Sequence, residues 1–203
     1  MKHVELLMTR HPELIDCKDD IEKAINAIVK SYRDGGKVLL CGNGGSASDC
    51  EHISGEFLKG FMSKRKIADG EYPDFSCEAR EKLQKGIPCI PLTSLTALIS
   101  AFSNDVDADW TYAQMVFALG KKADVFIGLS TSGGAKNVRY GAEIAKALGI
   151  TTIAMTGAKE NPLASLSDIA IRVPETETFK VQELHLPVYH AICAEVENIL
   201  FGN

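Results

Sequence analysis

Apolar and polar positions follow two rhythms along this chain, and the switches between them mark out its elements. Ile21, Ile25, Ile28, Val29 and Tyr32 recur at steps of three and four, which predicts a helix that Gly35 and Gly36 stop. The run Lys37-Val-Leu-Leu-Cys41 is short, apolar and followed by glycine, as a buried strand is. By the same criteria strands are predicted at 87–92, 124–128, 151–155 and 168–173. Helices are predicted at 46–59, 95–102, 107–119, 134–148 and from Thr178 to the C-terminus. In the helix at 134–148, Val138, Ala142, Ala145 and Leu148 share one face, and Gly149 stands where a C-terminal cap belongs.

Strands of continuous apolar character separated by helices belong to a parallel sheet covered on both faces. The expected fold class is α/β, a doubly wound three-layer α/β/α sandwich on a parallel sheet of about five strands, with residues 1–203 in one domain. Two stretches fall outside that plan. Residues 1–35 predict an N-terminal helical segment packed outside the sheet or against another subunit. Residues 62–86 are polar, contain Gly70 and Pro73, and are too long for an ordinary connection, so they read as an insertion with its own short helix at 77–84. Its basic triplet, Lys64-Arg65-Lys66, is expected to be solvated surface.

Composition narrows the function classes. Hydrophobic residues at 45% and charged residues at 24% exclude a disordered or fibrous chain. No apolar run is long enough for a membrane span, and the first ten residues lack the pattern of a signal peptide. The six cysteines are scattered without a C-x-x-C pair, which points to free thiols and a cytoplasmic address. A net charge of −5 argues against nucleic acid as a partner, though a local nest of backbone N–H groups can still hold an anion.

Two loops have that character. Cys41-Gly-Asn-Gly-Gly-Ser-Ala-Ser48 places three glycines and two serines between a predicted strand and helix. Glycine lets backbone approach a ligand, and the helix start directs free N–H groups at it. The loop is neither a Walker A sequence, since no Gly-Lys-Ser/Thr follows, nor the dinucleotide fingerprint, since Ala47 breaks it. A tight turn capped by Ser46 would need no ligand. A second loop, Ser130-Thr-Ser-Gly-Gly134, ends another strand and opens another helix with three consecutive hydroxyls. Both loops lie at carboxyl ends of parallel strands, where ligands bind, and together they favour a sugar phosphate or similar small phosphorylated ligand.

Acid–base candidates follow. His52 and Glu56 stand four apart on the helix after the first loop and share a face, as a simple helix-stabilising pair also would. Beyond an anion-binding helix start, they suit proton transfer or metal ligation. The last helix carries Gln182, His185 and His190, of which His185 has the look of a packed core residue.

These motifs, in this order, resemble the sugar isomerase (SIS) domain family, and more closely its phosphoheptose isomerases. The residues that carry the resemblance are Cys41-Gly-Asn-Gly-Gly-Ser46, Asp49-x-x-His52 with Glu56, Asn104-Asp105, Ser130-Thr-Ser-Gly133, Arg172-Val-Pro174, and Gln182-Glu-x-His185 with His190, spread over about residues 20–200. The resemblance implies isomerisation of sedoheptulose 7-phosphate to glycero-manno-heptose 7-phosphate through a cis-enediol. It gives Glu56 as carbon base and His190 as acid. It implies one zinc per subunit on His52, Glu56, Gln182 and His190. Substrate contacts are expected from Asn43, Gly44, Gly45, Ser46, Glu56, Asn104, Asp105, Ser130, Thr131, Ser132 and Gln182. It implies a homotetramer with sites at subunit interfaces, and heptose supply for surface polysaccharide.

Two positions depart from the family pattern. Ala135 stands where these isomerases usually carry another phosphate-contacting serine, which should weaken phosphate binding, and Lys136 beside it is expected to face solvent. Pro187 falls between Gln182 and His190, which are about 12 Å and roughly 80° apart on an ideal helix, so a bend, a late helix start or ligands from neighbouring subunits are expected. Rival readings share the fold: a phosphosugar-sensing regulator, an adaptor for the replication initiator (echoed in Tyr112-Ala-Gln and Ala118-Leu-Gly), or an isomerase of arabinose 5-phosphate or a hexulose phosphate. The joint presence of Glu56 and His190 favours an enzyme.

Overall fold

A computed structural model describes residues 1–202 of the chain. Strands β1 (Val38–Gly42), β2 (Cys89–Pro91), β3 (Val125–Leu129), β4 (Thr151–Thr156) and β5 (Ile169–Arg172) form one sheet in the order β2-β1-β3-β4-β5, and every pair is parallel. Every residue of the inner strands β1 and β3 is buried, which is why they read as unbroken apolar runs. The helices are α1 (Lys2–Arg10), α2 (Lys18–Arg33), α3 (Gly45–Leu58), α4 (Cys77–Lys82), α5 (Thr96–Phe102), α6 (Thr111–Leu119), α7 (Lys136–Ala147), α8 (Pro162–Leu166) and α9 (Thr178–Phe201).

Two separate cores lie on the two faces of the sheet. One gathers α1, α2, α3 and α9 through residues such as Val4, Ile25, Phe57, Val188 and Ile192. The other gathers α6, α7 and α8 through Tyr112, Met115, Val138, Ala142 and Leu163, with Leu98 and Ile99 of α5 at its edge. The expected α/β/α sandwich is therefore the observed architecture. The N-terminal segment packs within its own chain: α2 lies on α9, β5 and β3, and α1 lies on α9, outside the sheet as expected.

Boundaries shift where local chemistry intervenes. The predicted strand at 87–92 shrinks to β2, preceded by Pro88 and ended by Pro91, on an edge of the sheet where proline is tolerated. The helix predicted at 107–119 begins only at Thr111, after a π-turn (Ser103–Asp107) and a 3₁₀ turn (Ala108–Trp110). Pro187 neither delays nor interrupts α9, which contradicts a late start. The carbonyl it orphans belongs to Glu183, an exposed residue whose backbone water can reach.

The insertion holds a larger correction. Its short helix exists as α4, capped by the Ser76 hydroxyl accepting from the Ala79 N–H at 3.1 Å. Lys64 and Lys66 are exposed, but Arg65 is buried to 4% exposure and is not solvated surface. Its Nε donates to Glu197 of α9 at 2.6 Å, and its remaining nitrogens donate to the carbonyls of Phe57 (2.6 Å) and Glu56 (3.0 Å). Those carbonyls are among the last four of α3, which have no partner within the helix. Glu197 also accepts the N–H groups of Phe61, Met62 and Ser63 at 2.7–3.0 Å. Burial alone would raise its pKa, but those donors and Arg65 hold the carboxyl below its usual range. The pair fastens the end of α3 to α9. Arg65→Met leaves Glu197 as a buried charge without a cation and should cost about 3–5 kcal/mol, read as a lower midpoint in urea unfolding.

Candidate active site

The strand order reverses direction around β1 and β3, and the register sets Gly42 level with Leu129. The loops after these strands therefore emerge side by side, and α3 and α7 leave on opposite faces, opening the crevice where doubly wound folds bind ligands. A cavity of about 360 Å³ lies there, lined by Asn43, Gly44, Gly45, Ser46, Ser130, Thr131 and Ser132, with Ala135, Thr178 and Gln182 completing the wall. The two glycine- and serine-rich loops expected to share a ligand do share one cavity. The backbone N–H groups of Gly44, Gly45, Thr131 and Ser132 are not engaged by any acceptor among the described residues. Their residues line the cavity, so they are free to serve as donors to an anion held there.

Two glycines are required by close approach. A Cβ on Gly45 would lie 2.6 Å from Nε2 of Gln182, so the glycine is what lets α9 present that amide to the cavity. Gly133 sits at φ +64, and a Cβ there would lie 1.9 Å from Oδ1 of Asn161, the residue that caps α8. The first loop is also held from behind. Asn43 and Asn137 exchange paired amide hydrogen bonds at 2.8 and 2.9 Å, and the Tyr112 hydroxyl donates to the Gly42 carbonyl at 2.7 Å. Sequence reasoning missed Asn137 and Tyr112, since an asparagine in a first helical turn and a tyrosine on an apolar face carry no mark of a loop brace.

Gly45, His52 and Glu56 recur at seven and eleven residues along α3 and so face the same way. That face meets α9. Nε2 of His52 lies 3.4 Å from Oε1 of Glu56 and 3.4 Å from Nε2 of His190. The other Glu56 oxygen takes Lys59 at 3.3 Å. On α9 the position aligned with Gln182 two turns later is Tyr189, and His190 reaches the cluster from the flank. Burial first, and the neighbouring imidazole of His52 second, depress the pKa of His190 below the ordinary histidine value, against the pull of Glu56. That shift favours the neutral imidazole, a donor and acceptor rather than a fixed cation. Tyr189, missed in the sequence because a tyrosine beside a histidine reads as core, bonds His52 at Nδ1 (2.9 Å) and Asp49 at Oδ1 (3.2 Å). Burial raises the pKa of Asp49, against hydrogen bonding by Tyr189 and the charge of His52.

The candidates thus form two groups. Asn43, Gly44, Gly45, Ser46, Ser130, Thr131, Ser132 and Gln182 line the cradle, while His52, Glu56 and His190 meet one another farther along α3 and α9. Gln182 makes no hydrogen bond to the second group among the described residues, where no three His, Cys, Asp or Glu side chains form a ready-made metal cage. Asn104 and Asp105 are exposed on the π-turn, hydrogen-bonded to each other at 2.8 Å, and are not brought to the cavity within one chain. Lys136 pairs with Asp109 at 3.4 Å and stays solvent-facing.

An open parallel sheet with a phosphate-suited crevice at its switch point defines the class, and sequence comparison defines the family. SIS domain family models match residues 90–195 and 9–82, and the chain belongs to the SIS domain family. It is 40% identical over 182 residues (90% of this chain, 81% of the other) to phosphoheptose isomerase 2 of Campylobacter jejuni. It is 37% identical over 182 residues (90% and 83%) to phosphoheptose isomerase of Burkholderia pseudomallei. In three dimensions it resembles a phosphoheptose isomerase from Francisella tularensis, with TM-score 0.75, 27% identity, and coverage of 98% of this chain and 100% of that one.

His185 lies inside this helix pairing without joining either group. It is fully buried, with Nε2 3.4 Å from the Thr156 carbonyl and Nδ1 without a partner among the described residues. Burial pushes its pKa down to about 4, against the hydrogen bond to Thr156. The unfolded chain takes up this proton near 6.5 and the folded chain only near 4, so stability falls as pH drops through that window, by about 3 kcal/mol in all. Urea unfolding from pH 7 to 4 should show that slope, and His185→Gln should flatten it.

Proposed function

We propose that this chain is an aldose–ketose isomerase that converts sedoheptulose 7-phosphate to glycero-manno-heptose 7-phosphate. The observation that carries the reading is a spacing. Gly45 and Gln182 meet at the phosphate-suited crevice, and His52 meets His190 seven and eight residues later on the same two helices, about 10–12 Å away. About eight bonds separate phosphorus from C1 in an extended heptulose 7-phosphate, a span of about 10 Å. A substrate anchored by its phosphate in the cradle reaches the carboxylate and imidazoles with its carbonyl end.

The chemistry follows from what meets there. Glu56 takes the proton from C1 of the ketose, the electron pair moves into the C1–C2 bond, and the carbonyl oxygen accepts a proton from the neutral His190 imidazole. Return of the proton from Glu56 to C2 of the cis-enediol, with the O1 hydroxyl proton passing back to His190 as the C1 carbonyl forms, gives the aldose and restores both groups. Such carbon acids ionise slowly without preorganised donors at the developing oxyanion, so the fixed imidazoles matter as much as the base. The cradle binds phosphate through N–H groups and hydroxyls. With Ala135 in its wall it has one hydroxyl fewer than a serine there would give, worth about 0.5–1.5 kcal/mol.

The residues fit a zinc ion in part. Two ligands of one tetrahedral zinc lie about 3.3–3.4 Å apart, and both His52 spacings have that value. His52, Glu56 and His190 would hold the ion, whereas Gln182, which the resemblance gives as fourth ligand, lies at the crevice in one chain, and zinc there would polarise the substrate carbonyl. We further place the enzyme in the cytoplasm as a homotetramer with sites at its subunit interfaces. Five buried free cysteines suit a reducing compartment. A tetramer would give Asn104 and Asp105, exposed in one chain, a neighbouring site to serve. Its partners are sugar phosphates and its own copies, with neither nucleic acid nor membrane among them.

The test is aldose formation from sedoheptulose 7-phosphate, with and without a chelator. Turnover is expected, diminished by the chelator and restored by Zn²⁺. Glu56→Gln and His190→Gln should each lower kcat by about 10²- to 10⁴-fold with substrate still bound. Tight binding of the sugar phosphate by the wild-type protein without turnover would overturn the reading in favour of a phosphosugar-sensing regulator.

A further inference from the structure

We propose that Tyr189 and Asp49 are positioning residues that fix the His52 ring as its Nδ1–H tautomer, leaving an unprotonated Nε2 facing Glu56 and His190. The inference rests on the reading that His52 serves the isomerase site. The buried hydroxyl of Tyr189 has one proton to give and two neighbours, Oδ1 of Asp49 at 3.2 Å and Nδ1 of His52 at 2.9 Å. A carboxylate accepts only, so the hydroxyl proton goes to Asp49. The hydroxyl oxygen then accepts, and the only group left to donate is Nδ1–H of His52. An imidazole with its proton on Nδ1 carries its lone pair on Nε2.

Consequences follow at the other edge of the ring. The Nε2 lone pair lies 3.4 Å from Nε2 of His190, which can donate to it, and 3.4 Å from Oε1 of Glu56, which cannot. A lone pair and a carboxylate oxygen therefore face one point, and that point attracts a proton or a cation. The opposite tautomer would turn an N–H toward Glu56 and block the point. Packing is consistent with the choice: Tyr189 stands edge-on to both His52 (centroids 5.4 Å apart) and His190 (5.0 Å). Orientation of an imidazole by a hydrogen bond to its remote nitrogen is a general device for setting which nitrogen is available.

Long-range ¹⁵N–¹H spectra of the chelator-treated full-length protein at about pH 8, above the imidazole titration range, read the tautomer directly. The His52 resonances are assigned by their loss in His52→Gln. Wild type should show a protonated Nδ1 and an unprotonated Nε2, the reverse of the form that dominates in a free histidine side chain. Tyr189→Phe and Asp49→Ala should each move His52 toward Nε2–H, whereas Asp49→Asn, which keeps an acceptor for the hydroxyl, should preserve the wild-type pattern. Tyr189→Phe should also lose about 10- to 100-fold in kcat with KM near wild type. A wild-type Nε2–H or doubly protonated signature, or a pattern that survives both Tyr189→Phe and Asp49→Ala, overturns the assignment. Lack of sedoheptulose 7-phosphate turnover in a wild type that keeps the Nδ1–H signature would overturn the isomerase reading alone.

Discussion

Arg65 and Glu197 bring two full charges out of water, and the register of α3 against α9 depends on their pairing. Taking a carboxylate and a guanidinium into an interior costs several kcal/mol each, offset only when every lone pair and proton is used. Here the use is nearly complete: three backbone N–H groups and the guanidinium serve the carboxylate, and two carbonyls at the end of α3 take the rest of the guanidinium. A slip of one turn along either helix would strand both charges. The pair thus acts as a register lock more than as a net source of stability. The register it locks is the one that sets Glu56, one residue before Phe57, beside His52 and opposite His190.

The other end of α3 is fixed by different means. There the sheet decides: β1 and β3 run level, their loops emerge together, and Gly45 lets the side chain of Gln182 come close. One helix therefore carries both halves of the site, its N-terminus in the anion cradle and its third and fourth turns in the acid–base cluster. Because a helix is stiff over this length, the separation between the halves is set by counting residues, seven to His52 and eleven to Glu56. In the proposed reaction this spacing would hold the phosphate and the proton-transfer groups a fixed distance apart.

Much of this was legible in the chain because it is local. Apolar runs gave the strands, glycine and serine after a strand gave the cradle, and a histidine four residues before a glutamate gave a shared face. Boundaries moved by up to four residues where proline or a π-turn intervened. What escaped depends on partners distant in sequence. Arg65 lies in a run of three basic residues that local patterning assigns to solvent, and its partner is 132 residues away. Pro187 predicts a break, yet the helix runs on and the carbonyl the proline orphans belongs to the exposed Glu183. Tyr189 has the composition signal of a core residue, and only the fold reveals that its hydroxyl joins Asp49 to His52. Asn104 and Asp105 stay exposed outside the cavity, bonded to each other, which no local pattern in the chain signals.

The chemistry of the cradle bears on how binding is divided from catalysis. No lysine or arginine lines it, and the chain carries a net charge of −5, so the phosphate would be held by dipoles and hydroxyls rather than by opposite charge. Such binding is directional and modest, each neutral hydrogen bond contributing about 0.5–1.5 kcal/mol. In the proposed isomerisation the phosphate would not change during proton transfer between C1 and C2, so any energy gained from it would be gained equally in ground and transition states. That energy raises kcat only insofar as it fixes the reacting carbons against Glu56 and His190. A weak but oriented cradle at one end of a stiff helix, with the acid–base groups at a counted distance along it, suits a reaction in which position has to be bought without tight retention of the substrate. The loss of one hydroxyl at Ala135 fits the same logic, since it weakens the grip and leaves the spacing untouched.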